Sequence, residues 1–154
     1  RPLKATGVTY VTSAMGADHT AGLVVNPGAT PDQMARLSQE QQHINAAIDA
    51  SGFCMFLMPN MEQIRAFYAA YFGDDISRET FLDMTWQCLS DEWEFNKRAG
   101  WTAADDKMPD CMKVDPVGPE GARVVFDIED DIIQDTYKRM IEPTEEVFAK
   151  AGAA

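Results

Sequence analysis

Residues 30–52 constrain the fold more than any other segment. Met34, Leu37, Gln41, Ile44 and Ile48 recur at helical spacing and share one face. Both ends are marked. Thr30 suits an N-cap, Pro31 the first helical position and Gln33 the third residue of a capping box. Ser51-Gly52 is the natural stop, because glycine takes the left-handed conformation at a C-cap without a Cβ penalty. Asp49 therefore sits in the last turn, and Cys54 follows just after the chain reverses.

The same periodicity continues. A second helix is expected from Asn60 to Phe72, with Met61, Ile64, Tyr68 and Tyr71 on one side and Gly73 at its end. A third is expected from about Ser77 to Arg98, striped by Leu82, Trp86, Leu89 and Trp93, and ended by Gly100. Residues 101–121 carry Pro109, Pro116, Pro119 and Gly118 and read as a loop with one short helical turn. Val124, Phe126 and Ile128 alternate briefly. Ile132, Ile133, Thr136, Tyr137 and Met140 then predict a fourth helix, which Pro143 breaks or restarts. The front differs: Gly7-Val8-Thr9-Tyr10-Val11-Thr12-Ser13 is rich in β-branched residues and predicts an extended arm. The fold class is thus all-α, an irregular helical domain with an extended N-terminal arm. Residues 1–30 form a site-lining arm, 31–113 the helical core and 114–154 divergent C-terminal helices.

Charge narrows the partners. The 154 residues carry a formal net charge of −12. Residues 1–60 are nearly balanced, Arg1, Lys4 and Arg36 against Asp18, Asp32, Glu40 and Asp49, so almost all the excess lies behind them. A nucleic-acid duplex or an anionic membrane surface would repel such a chain. The longest apolar run, Phe53 to Met58, is far short of a membrane span. Cys54, Cys88 and Cys111 have neither disulfide-framework nor zinc-knuckle spacing, which favours a reducing, cytoplasmic setting.

Few residues carry candidate chemistry. A cysteine beyond a glycine-broken helix places its sulfur near backbone N–H groups that stabilise a thiolate or cluster sulfurs, and Phe53, Met55, Phe56, Leu57 and Met58 would keep water away. The plain alternative is a structural cysteine acting as a small hydrophobe. His19 lies in the small-residue segment Gly16-Ala17-Asp18-His19-Thr20-Ala21-Gly22 and could move a proton near neutral pH, or simply bond to backbone. His43, mid-helix among glutamines, reads as a surface residue. Trp86, Trp93, Phe95 and Trp101 read as core, and Asp105-Asp106 and Glu129-Asp130-Asp131 as solvated helix starts.

Three segments together resemble one family, the tungsten-containing aldehyde ferredoxin oxidoreductases. Gly7 through Gly22 is similar to the family's block near the active site. Asp49-Ala50-Ser51-Gly52-Phe53-Cys54 resembles its Asp-x-x-Gly-Leu-Cys motif, with Phe53 for the usual Leu. Trp93-Glu94-Phe95-Asn96-Lys97-Arg98-Ala99-Gly100-Trp101, followed by Asp105-Asp106 and Pro109, resembles its late helix and loop. The resemblance spans about residues 7–110 and points to the carboxy-terminal, helical domain.

The resemblance implies specific roles. Cys54 would be the fourth thiolate ligand of a 4Fe–4S cluster. Asp49 would hydrogen-bond a pterin of a tungsten (or molybdenum) bis-pterin cofactor, and backbone at Gly52 and Phe53 would line it. His19 would move a proton as an aldehyde becomes a carboxylic acid, and electrons would leave through the cluster to ferredoxin. The family's Cys-x-x-Cys-x-x-x-Cys run and its β domain are absent here. The chain is therefore expected to be part of a longer enzyme, to need that enzyme's N-terminal part as partner, and alone to be inactive and hold no cofactor stably. Exposed Phe53, Phe56 and Leu57 would favour homo-oligomers. The alternatives are a non-catalytic protein-interaction domain of this fold, or part of a tungsten/molybdenum-pterin oxidoreductase with a non-aldehyde substrate.

Overall fold

A computed structural model describes residues 3–102, 104–139 and 141–150. Its helices are α1 (Lys4–Thr12), α2 (Pro31–Ser51), α3 (Met61–Phe72), α4 (Arg78–Arg98), α5 (Asp110–Val114), α6 (Asp130–Asp135) and α7 (Glu145–Ala149), with 3-10 turns at His19–Ala21 and Met55–Leu57. The described residues include an isolated antiparallel bridge, Val117 with Val124. No described helix is long and apolar enough to cross a membrane.

The local signals act as their chemistry requires. Thr30 and Gln33 close a reciprocal capping box at the start of α2, and Gly52 ends it in the left-handed conformation at φ 73°. Asn60 and Gln63 form a second box at α3, which Gly73 ends. Ser77 caps α4 through Thr80 N–H. Helix α2 runs through the middle. Its C-terminal half joins α3, α4 and α7 in one apolar cluster containing Ile44, Ile48, Met61, Ile64, Phe81, Leu82 and Phe148. Its N-terminal end meets α1 and α6 in a second, through Met34, Val8, Phe126 and Ile133.

Within the arm, residues 4–12 are helical and not extended. β-branched residues only mildly disfavour helix, and tertiary contacts reverse that preference here. Thr12 bonds back to Val8 O at 2.9 Å, and Thr9 Oγ1 meets Ser38 Oγ of α2 at 2.7 Å. Gln42 Nε2 donates to Thr12 Oγ1 at 3.1 Å and to Ser38 Oγ at 3.2 Å. A buried polar seam thus joins α1 to α2. Gly7 faces the Phe126 ring so closely that a Cβ there would lie 2.6 Å from Cε2. Gly7→Ala is therefore expected to destabilise by about 1–3 kcal/mol, overpacking outweighing alanine's better helix propensity. Thermal unfolding of the variant measures this.

Two further expectations need correction. The fourth helix stops at Asp135, because the carbonyls of Thr136 and Lys138 accept instead from Gln39 Nε2 at 2.7 and 2.8 Å. Met140 lies outside the described residues. The chain restarts as α7 with Thr144 as N-cap. His43 is no surface residue but fully buried, because α1, α3, α4 and α6 all pack on α2 and cover its polar side too.

Candidate functional site

The elements bearing His19, Asp49 and Cys54 gather around the C-terminal half of α2. Asp18 Oδ1 accepts from the Thr20 N–H and hydroxyl, both at 2.8 Å, and shapes the His19–Ala21 turn. Those bonds hold the Asp18 carboxyl below its ordinary range. Asn45 of α2 donates to Thr20 O and fastens that turn one helical turn before Asp49. Asn96 of α4 donates to Ala14 O at 2.9 Å and fixes the approach from α1. His19 itself is exposed; its Nδ1 is 4.0 Å from Asp18 Oδ1, beyond hydrogen-bond reach. Asp18 shapes the loop and does not orient the imidazole.

Asp49 stands at the rim of a small cavity of about 20 Å³, shared with Ser13, Met15, Ala21, Asn45, Leu89 and Glu92. Partial burial raises the Asp49 carboxyl above its ordinary value. Glu92 is raised as well, by burial first and then by the charge of Asp49. The two carboxylates line the same cavity and are close enough to repel. The sequence singled out neither Glu92 nor Asn45, because both are spaced like ordinary helix-surface residues.

Gly52 carries the chain out of α2, and Phe53 N–H bonds Ser51 Oγ at 3.3 Å. Phe53 is half-buried and meets Phe67 edge-on at 5.0 Å. Cys54 precedes the Met55–Leu57 turn and is exposed. The expected apolar shield does not cover it: the turn carries Phe56 and Leu57 into solvent at 82% and 70% exposure. Met58 then takes the left-handed conformation at φ 48° to lead into α3. Among the described residues, no three His, Cys, Asp or Glu side chains converge as metal ligands.

The late motif behaves differently. Trp93 is buried, Trp86 and Trp101 are half-buried, and Phe95 is 72% exposed, so Phe95 is not core. Asp106 is not a solvated helix start. Its Oδ1 accepts from Trp101 Nε1 at 3.1 Å, its Oδ2 is buried without a partner among the described residues, and burial raises the carboxyl to about 6.

The family model described as aldehyde ferredoxin oxidoreductase, domains 2 and 3, matches residues 1–141. The chain belongs to the aldehyde ferredoxin oxidoreductase family. The match extends beyond Pro109 to residue 141. An all-α structure agrees with the helical domain of the aldehyde ferredoxin oxidoreductases. No comparable match was found among curated proteins or among solved structures.

Proposed function

We propose that this chain is the helical part of an aldehyde:ferredoxin oxidoreductase that oxidises aldehydes to carboxylic acids. The observation that carries this reading is the family match over residues 1–141, on a framework that holds the His19 turn, Asp49 and Cys54 around one end of α2. The tungsten (or molybdenum) bis-pterin would supply the two-electron oxidation, and a 4Fe–4S cluster the route to ferredoxin. The donor set suits a contribution to both. Cys54 offers an exposed thiol, one ligand of the four that such a cluster takes. Asp49 offers a carboxylate on the last turn of α2, able to accept from pterin N–H groups, with the Gly52–Phe53 backbone beside it. His19 presents an exposed imidazole on a fastened turn, free to pass a proton to or from substrate. The remaining ligands and the far wall of the pocket would come from the enzyme's N-terminal part, in a reducing, cytoplasmic setting. The chain alone would hold no cofactor stably and would not turn over.

Metal analysis and kinetics on the complete enzyme test this. Cys54→Ala is expected to lose iron. His19→Ala is expected to keep its metals and lose about 10²–10⁴-fold in rate, the usual contribution of a positioned acid or base. Full iron content in the first variant, or full rate in the second, would remove the assigned role. Exposed Phe56, Leu57, Tyr71 and Phe72 favour a second reading, a protein-interaction domain of the same fold that also self-associates. There, both variants would be silent and loss of the apolar surface would not. Turnover of a non-aldehyde substrate alone would redirect the proposal within the family.

A further inference from the structure

Aromatic rings run in unbroken contact through the back of the helical core. Trp86 and Trp93 of α4 lie 5.5 Å apart between ring centroids. Trp93 reaches Tyr137 at 5.0 Å, and Tyr137 reaches Trp101 at 5.9 Å. Indole and phenol rings are the side chains most readily oxidised by one electron, and contact at this range permits fast transfer between them. The inner part of the path lies behind the candidate site: Leu89 and Glu92, which precede Trp93 in α4, line the cavity of Asp49.

Trp93 and Trp101 differ in what receives the indole proton. Trp93 Nε1 donates to a peptide carbonyl, Thr12 O, at 2.9 Å. A carbonyl is not a base, so an oxidised Trp93 keeps its proton and passes the oxidising equivalent on. Trp101 Nε1 donates to the Asp106 carboxylate. That carboxylate is poorly solvated, its second oxygen buried and lacking a partner among the described residues. An oxidised indole is a strong acid, and Asp106 is a base in contact with its acidic proton.

We propose that Trp86, Trp93, Tyr137 and Trp101 form a path along which a one-electron oxidising equivalent, delivered by an oxygen-derived radical, leaves the region behind Asp49 and is trapped on Trp101. The electron balance is simple. The radical oxidant gains one electron, Trp101 ends one electron short, its Nε1–H bond breaks and an O–H bond forms on Asp106. Tyr137 couples the two indoles electronically and is not itself oxidised, because its buried hydroxyl has no acceptor among the described residues to take its proton. The raised proton affinity of Asp106 supports this direction. The path needs no bound cofactor, so its failure would leave the enzymatic reading intact.

The test uses the full 154-residue chain. A ruthenium polypyridyl photo-oxidant is attached at Ser90→Cys, one turn after Trp86, with Cys54, Cys88 and Cys111 changed to serine. Flash oxidation in the presence of a nitroso radical trap is followed by peptide mapping of the adduct. The adduct is expected mainly on Trp101. Trp93→Phe interrupts the path and is expected to lower that yield about tenfold. Asp106→Asn keeps an acceptor for Trp101 Nε1 but removes the base, and should move the adduct back to Trp86 and Trp93. It decides the matter if Trp93→Phe does not fold. Adduct confined to Trp86, or an unchanged Trp101 yield in both variants, would overturn the proposal.

Discussion

Acidification from pH 6.5 to pH 4 is expected to cost about 3 kcal/mol of stability through His43 alone. Its Nδ1 lies 2.7 Å from Thr85 Oγ1. The Thr85 hydroxyl already donates to Leu82 O, so it accepts from His43 and places the proton on Nδ1. Nε2 is then a bare lone pair, buried and without a partner among the described residues, with the ring stacked 5.7 Å from Trp86. Protonation would bury a charge with nothing to receive it. Burial first, and the Arg139 charge second, push the pKa down to about 3. The folded pKa lies below the unfolded one, so the stabilisation is complete above pH 6.5 and is lost as pH falls through about 3. Asp106 acts with the opposite sign: its carboxyl is raised to about 6, so its contribution is lost as pH rises through that value. Between pH 4 and 6 the two partly cancel. Urea unfolding of wild type and His43→Leu at pH 7 and pH 4.5 separates them. The variant should lose markedly less stability on acidification; equal losses would refute the assignment.

Phe81→Ala is expected to destabilise the chain by about 3–5 kcal/mol. Phe81 is 1% exposed, and its ring packs against Phe148 of α7 and Tyr68 of α3, at 6.0 and 6.1 Å. The side chain joins three helices at one point, so its loss removes packing from all of them. Phe95 lies on the same helix with its ring largely in water. Phe95→Ala is expected to fall within about 0.5 kcal/mol of wild type. Denaturant midpoints of the pair give the comparison. Similar losses in both would mean that α4 is oriented differently.

The helix boundaries were legible because their signals are local. Thr30 with Gln33, Gly52, Gly73 and Ser77 each act within one turn of their own position. Helix α1 was not, because its fate depends on Ser38, Gln42 and Phe126, far away in sequence. The same holds for His43: among glutamines it reads as surface, and only four helices converging on α2 reveal it as core. For the site, the family motif pointed to His19, Asp49 and Cys54, and the structure gathers their elements around one end of α2. It could not show that Cys54 stands bare, since apolar neighbours in sequence protect a thiol only if the chain folds them back. Glu92 and Asp106 escaped because an exposed-looking acid gains meaning only from what faces it.

The hydroxyls and amides between α1 and α2 have a mechanical consequence. Two helices joined only by aliphatic contacts can slip by a turn and find nearly equivalent packing. Here a shift of one turn would separate Thr9 from Ser38 and Gln42 from Thr12 at once, leaving buried donors empty. The pair therefore has a single register. Because α1 feeds directly into the segment carrying His19, that register acts as a ruler, setting how far the imidazole stands from the end of α2.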